Sequence, residues 1–326
     1  MSKVKRLENL KKDYFKKRNV IAVIGFFDGV HLGHQKIIKE CTARAKEICG
    51  TSVVFTFDKP PSNIIKGRLY KKLITSYSDK LYLIKEMGVD YIIIAKFDSN
   101  FAGLEPEDFC RQILIDSLNV RELFIGEGFK FGINAKGNVD FLINFFKNYR
   151  VKINEVSILK VKNKPVSSTT IRDFYNSGDV ESIITFLGRI PFITGKVIRG
   201  DSRGRIIGFP TANIDIFEKY VVPKDGVYFG WASILEAKKY LKKSFVQTME
   251  KLPSLVNIGN NPTFKGKRKW IETHIIDFNG NIYNKRLKVY FLRMLRQEKK
   301  FESKEELVIQ IKNDLDCARK YFVSIG

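Results

Sequence analysis

The stretch GFFDGVHLGH, residues 25–34, holds two of the chain's three histidines, His31 and His34. They stand in a glycine-rich turn between the apolar run Val20–Ile24 and an amphipathic stretch. Gly25, Gly29 and Gly33 permit tight turning and close backbone approach to a ligand. The unpaired N–H groups of a helix opening at Gly33 favour an anion, by ~0.3–1 kcal/mol when exposed and up to about 2 when partly buried. Two imidazoles three apart across that opening can both face the anion. Such a pair suits phosphate oxygens that gain charge as a P–O bond breaks. The bland alternative is one histidine capping a helix and the other packed in a core.

The pair spells HxGH, the signature of nucleotidyl transferases and class I aminoacyl-tRNA synthetases, and no KMSKS-like loop accompanies it. A second stretch, SSTTIR at 167–172, opens another helix, with Ser168 and Thr169 at its entrance and Arg172 one turn in. Hydroxyls, N–H groups and a guanidinium there make a second phosphate cradle; alone, it would read as an ordinary helix cap. Further along, GDSRGRIIGFPTANI brackets a basic loop with Gly200 and Gly204. Thr211 and Asn213 follow, two apart on a strand and so on one side of it. By spacing alone two satisfied polar residues are the commoner case; on a cavity wall they are hard oxygen ligands for Mg²⁺. In WIETHIIDF, alternation puts Glu272 and His274 on one face with Trp270 and Ile276. An acidic group among apolar neighbours is either paired structurally or tuned for proton transfer. No GxxxxGK[ST], GxGxxG after a strand, or HRD and DFG pair is present.

These residues need elements to hold them. Strands are expected at Val20–Ile24, Ser52–Phe57, Tyr91–Ala95, Glu122–Ile125 and Lys152–Val156, with helices after Gly33, from about Ser78 to Met87, and from near Pro106. This alternation predicts a parallel sheet covered on both faces, with ligands at the carboxyl ends of its strands. Around Gly188–Pro191 the rhythm changes to β-type runs with alternating polarity, the mark of antiparallel strands. DFNGNIY supplies a hairpin signal between two of them. The last segment opens with a capping box, Ser303 and Glu306, and repeats Leu307, Ile311, Leu315 and Phe322 at near-helical spacing. The boundary between halves is placed at about residue 187, and residues 235–252 read as a polar loop or short helix.

At 326 residues the chain is long enough for two cores. It has no apolar run of eighteen residues, and its charged start, MSKVKRLENLKKDYFKKR, does not resemble a secretory signal. The cysteines 41, 49, 110 and 317 form no CxxC, so the expected compartment is the cytosol. A net charge of +23 would suit a nucleic-acid partner, but the basic residues are scattered rather than gathered. A solvated surface that draws in polyanionic small substrates is the preferred reading.

With GFFDGVHLGH, VVFTFD, GEGFKFG and SSTTIR in the first half, and GDSRGRIIGFPTANI, NIGNNPTF, WIETHIIDF and FESKEEL in the second, the sequence resembles the bacterial bifunctional riboflavin kinase/FAD synthetase family. The resemblance implies a Rossmann-like FMN adenylyltransferase domain over 1–187. It also implies a riboflavin kinase domain over 188–326, a closed six-stranded antiparallel barrel with a C-terminal helix. Riboflavin, FMN and ATP would be substrates, with Mg²⁺. His31 and His34 would hold ATP phosphates and Asp28 would shape the nucleotide pocket. Ser168, Thr169 and Arg172 would grip the triphosphate, Thr211 and Asn213 would hold Mg–ATP, and Glu272 would be general base on the ribityl 5′-hydroxyl. His274 reads as structural. The chain departs from the family's pattern at Phe26, at Lys59-Pro60-Pro61 and at Gly128. Those departures define an alternative, a riboflavin kinase whose first half only binds nucleotide or flavin. A basic nucleic-acid-binding protein is the third reading.

Overall fold

The computed structural model describes residues 2–67, 71–199, 204, 207–215, 220–235, 250–260 and 269–325. The chain divides into two compact units, Met1–Ser168 and Thr169–Gly326.

In the first unit the expected strands form: β2 (Val20–Ile24), β3 (Thr51–Phe57), β4 (Tyr91–Ala95), β5 (Val120–Gly126) and β6 (Lys152–Val156). A strand the apolar pattern did not announce, β1 (Lys3–Arg6), completes a six-stranded sheet of order β1-β4-β3-β2-β5-β6, parallel throughout. It pairs Lys3 with Tyr91 and runs alongside β4. An edge strand needs backbone partners rather than a buried face, so KVKR carries no alternating signal. The central strands β2 and β4 are buried at every residue, as parallel strands covered on both faces must be.

The helices are α1 (Leu32–Glu47), α2 (Pro61–Ile65), α3 (Tyr77–Lys85), α4 (Ser99–Ala102), α5 (Pro106–Asp108) and α6 (Val139–Phe146). The helix expected near Pro106 continues from α5 as a π-helix over Phe109–Ser117. Its wider turn, seen in the Leu118 N–H to Ile113 carbonyl bond of 3.0 Å, buries Phe109, Cys110, Ile113 and Leu114 together.

One ion pair ties α1 to the sheet. Arg44 donates to both oxygens of Glu122 on β5, at 2.7–3.1 Å, and the carboxylate is buried. These hydrogen bonds hold the Glu122 carboxyl below the usual carboxylate range. Glu122→Gln should therefore cost about 1–3 kcal/mol at pH 7. Because the folded value is depressed, that stability is present above the unfolded pKa of about 4.3 and lost as pH falls through the folded one. Urea denaturation at pH 7 and pH 3 should show a smaller wild-type advantage at the lower pH.

After a small hairpin of β7 (Lys160–Val161) and β8 (Lys164–Pro165) comes α7 (Ser168–Ser177), which carries the chain into the second unit. α7 and α8 (Val180–Leu187) belong largely with the barrel: the Lys224 N–H donates to the Tyr175 carbonyl, and α8 packs on the last strand. The compact units thus divide at Ser168, upstream of the change of rhythm near residue 187.

The barrel closes in the order β10-β13-β12-β11-β14-β9. Its strands are β9 (Phe192–Ile198), β10 (Ala212–Asp215), β11 (Gly226–Leu235), β12 (Leu252–Asn260), β13 (Lys269–Ile275) and β14 (Arg286–Arg296). Every pair is antiparallel. Val197, Ala212, Ile214, Tyr228, Val256 and Ile271 help to fill the interior. The terminal helix α9 (Lys304–Ile325) lies on the outside, with Leu315, Ala318 and Phe322 against Phe229, Leu255 and Leu292. Its cap is a variant of the expected box: Ser303 Oγ accepts from the Glu306 N–H, while Glu306 reaches back to the N–H of Glu302. The expected insertion at 235–252 lies almost wholly outside the described residues, as do Gly200 and the NPTF of 257–264.

Candidate functional site

In the first unit the sheet order reverses at β2, which has β3 on one side and β5 on the other. The loop leaving its carboxyl end is GFFDGVH, at the switch point where open α/β sheets bind ligands. Three residues of it take left-handed backbone: Phe27 at φ 58°, Gly29 at 85° and Val30 at 40°. Phe27 and Val30 adopt it against the preference of L side chains because both side chains are buried.

His31 is the N-cap of α1, its Nδ1 accepting from the His34 N–H at 3.3 Å. The helix therefore starts one residue earlier than expected from Gly33. Accepting at Nδ1 requires that atom to be unprotonated, which places the ring proton on Nε2 as a donor. The two imidazoles stack, centroids 3.5 Å apart and 17° from parallel. Capping thus occupies Nδ1 and leaves Nε2 of the same ring as a donor. The cap accounts for Nδ1 and leaves the phosphate reading of Nε2 intact.

Gly33 lies where a Cβ would come 3.2 Å from the Val166 carbonyl oxygen and 3.3 Å from the His31 ring. On the reading that the resemblance implies, Gly33→Ala should displace that ring and lower adenylyl transfer about tenfold, with riboflavin phosphorylation unchanged in the same preparation. At Gly25 a Cβ would meet the Phe27 ring at 2.8 Å. Asp28 is buried and turned toward the protein itself, its carboxylate accepting from the N–H groups of Ile74 at 2.9 Å and Thr75 at 3.3 Å. It shapes the loop rather than opening onto a ligand through those contacts. Ser168 does come to the loop, donating from Oγ to the Asp28 carbonyl at 2.9 Å. Thr169 and Arg172 follow on α7, in the second compact unit.

Sequence reasoning missed the other side of this loop. Gly29 N–H donates to Thr75 Oγ1 at 3.2 Å, and Lys80 on α3 reaches the Phe26 carbonyl at 3.1 Å. Phe26, one of the family departures, lies with its ring 4.1 Å from the Lys80 ammonium. The available signal was a lysine four residues before Ile84 on a helix face that turns out to be buried. Gly128, another departure, takes φ 73° in its turn.

In the barrel, Asn213 on β10 pairs across with Glu272 on β13, which pairs with Asn257 on β12. Directly opposed residues share a face, and Ala212, Ile214 and Ile271 fill the interior, so this row lies outside it. Asn213 is buried and Glu272 half-buried. A cavity of about 330 Å³ is lined by Thr211, Asn213, Thr273, Val197 and Phe278, among others. Glu272 is not in that lining; it stands on the next strand, opposite Asn213. Thr273, also missed, is buried in the cavity wall with no hydrogen-bond partner for its hydroxyl among the described residues. His274 Nδ1 lies 2.8 Å from the carbonyl of Pro210, the residue before Thr211. Beside it Gly204 accepts from the Phe209 N–H at 2.7 Å, and a Cβ there would press on the Phe209 oxygen.

Thr211 and Asn213 offer a hydroxyl and an amide oxygen, neutral hard donors on one cavity wall. Among the described residues no group of three His, Cys, Asp or Glu side chains could hold a metal ion. Such a wall fits a Mg²⁺ that keeps most of its ligands as phosphate and water oxygens.

A parallel α/β sheet with an HxGH-capped helix at its switch point, followed by a closed barrel with a PTAN strand, defines a nucleotidyl transferase fold joined to a kinase barrel. The FAD synthetase family model matches residues 14–170, and the riboflavin kinase model matches 187–322. A bifunctional riboflavin kinase/FMN adenylyltransferase of Buchnera aphidicola is 33% identical over 99% of both chains. Its Bacillus subtilis counterpart is 36% identical over 94% of this chain and 93% of that one. The chain belongs to the bifunctional riboflavin kinase/FMN adenylyltransferase family. A solved structure from Streptococcus pneumoniae, described as a macrolide-efflux protein, matches with a TM-score of 0.83 and 27% identity over 97% of this chain and 98% of that one. Among the described residues no helix of this chain is long and apolar enough to cross a membrane.

Proposed function

We propose that this chain makes FAD from riboflavin in two ATP-dependent steps, kinase chemistry in residues 188–326 and adenylyl transfer in 1–187. The observation that carries the reading is the convergence of the His31 cap, the stacked His34 and the Ser168 hydroxyl on one loop at the sheet's switch point. Both family models and the full-length relatives support the same division.

In the first step the ribityl 5′-hydroxyl attacks the γ-phosphorus of ATP. The new O–P bond forms as the bond to the β-phosphate bridging oxygen breaks, and ADP leaves. Glu272 accepts the hydroxyl proton. Thr211 and Asn213 would hold Mg²⁺, which when bound neutralises developing charge on the phosphates. In the second step an FMN phosphate oxygen attacks the α-phosphorus of a second ATP in line, and pyrophosphate leaves. His31, His34 and Ser168 hold the phosphates, and Gly25 and Gly33 permit their close approach. The site contributes positioning and charge stabilisation rather than a covalent intermediate. Flavins are substrates and products here, and the net charge of +23 supplies a field that draws in their polyanionic partners. A cytoplasmic location accords with these soluble substrates.

A time course with riboflavin, ATP and Mg²⁺, following both flavins by chromatography, tests this. FMN should rise first and FAD follow. FMN accumulating with no FAD, even when FMN is supplied, would leave only the kinase.

A further inference from the structure

We propose that Lys80 is a positioning residue for adenylyl transfer, its ammonium tying the ends of two central strands together beneath the HxGH loop. The inference rests on the reading of the first unit as the adenylylating one. Lys80 lies on α3, is 3% exposed, and spends all its donors on three acceptors. These are the Phe57 carbonyl at 2.8 Å, the Phe26 carbonyl at 3.1 Å and Thr56 Oγ1 at 3.3 Å. Phe57 and Thr56 end β3, and Phe26 lies two residues beyond β2, so one cation spans adjacent strands where the loop departs.

The same short segment holds the loop's far side through Asp28 and Gly29, which bond to Ile74 and Thr75. Residues 74–80 thus bracket residues 26–29. A loop with Phe27 and Val30 in left-handed backbone needs such external restraint, because its own preferences oppose the shape. The His31 cap and the Ser168 contact both hang from that bracket.

The groups facing Lys80 are the Asp28 and Asp58 carboxylates, the rings of Phe26 and Tyr77, and the three oxygens named. Burial lowers its pKa to about 8, against the opposing pull of the two carboxylates. A neutral amine keeps only two N–H donors for three acceptors. Deprotonation therefore loosens the bracket, and adenylyl transfer should fall as pH rises through about 8. Stability moves the other way. The folded value lies below the unfolded one, so the unfolded chain binds more protons between about 8 and 10.5, and this group's contribution to stability rises with pH there. A purely structural lysine would move stability and activity together.

The test compares wild type with Lys80→Met in the full chain. Between pH 6.5 and 9.5 it measures kcat/KM for FAD formation from FMN, kcat/KM for riboflavin phosphorylation, and the thermal midpoint. We expect Lys80→Met to lower FAD formation about 10- to 100-fold at pH 7 while phosphorylation stays within about twofold. The wild-type descending limb near pH 8 should be absent from the variant. Equal FAD rates and matching pH profiles would overturn the role of Lys80 alone. Should the variant fail to fold, the wild-type profile decides: a limb near pH 8 supports the bracket, and a flat profile from 7 to 9.5 overturns it. Absence of FAD from wild type at every pH would overturn the adenylylation reading, and this one with it.

Discussion

Glu272→Gln should lower riboflavin phosphorylation about 10²- to 10⁴-fold and leave FAD formation from supplied FMN unchanged. The substitution keeps the side chain's volume and one oxygen, so the row it forms with Asn213 and Asn257 across three strands should persist. What it removes is the capacity to accept a proton, worth about 3–5 kcal/mol of barrier on that scale. The position makes the role physically reasonable. Glu272 is half-buried directly across from Asn213, one of the residues expected to hold Mg–ATP, and stands outside the lining of the cavity itself. Separate assays of the two steps on one preparation provide the control. Equal loss of both activities in a folded variant would mean that the division of labour is wrong.

The second large effect belongs to His31. His31→Ala should cut FAD formation about 10²- to 10³-fold, as for loss of one donor to developing charge, with phosphorylation of riboflavin spared. Because His31 also caps α1, the alanine variant should lose about 1 kcal/mol of stability as well. His31→Asn separates the two roles. Asparagine is among the best N-caps and should recover the stability, yet it places no donor where Nε2 stands and should not recover the rate. Recovery of adenylylation by asparagine would show that capping, and not the imidazole, is what the reaction needs. Thermal melts and chromatographic FAD assays on the three proteins give both readings.

Some of this architecture was open to reading before any coordinates. Val20–Ile24 and Tyr91–Ala95 appear at their expected bounds, because fully buried parallel strands are continuous apolar runs. β1 was not legible: its pairing with β4 is a backbone matter and leaves KVKR free to be charged. The π-helix was also hidden, since Phe109, Ile113 and Leu114 suit a narrower and a wider turn almost equally. At the candidate site, histidines three apart marked the helix start where both rings now stack, whereas the inward turn of Asp28 toward Ile74 and Thr75 could not be inferred from its neighbours in sequence.

Local pattern is written in order along a chain, so the sequence alone determined the candidate site residues: two imidazoles at a helix start, a hydroxyl and an amide two apart, a carboxylate on an alternating strand. It also determined the change from helix-and-strand rhythm to antiparallel rhythm near residue 188. Contacts between distant segments are set by packing, and only the tertiary structure decided those. It brought Ser168 to the Asp28 carbonyl, set Asn213 opposite Glu272 by strand register, and buried Lys80 against the ends of β2 and β3. Register and burial depend on which faces meet once the core has closed, and residues far apart in sequence carry no mark of that meeting.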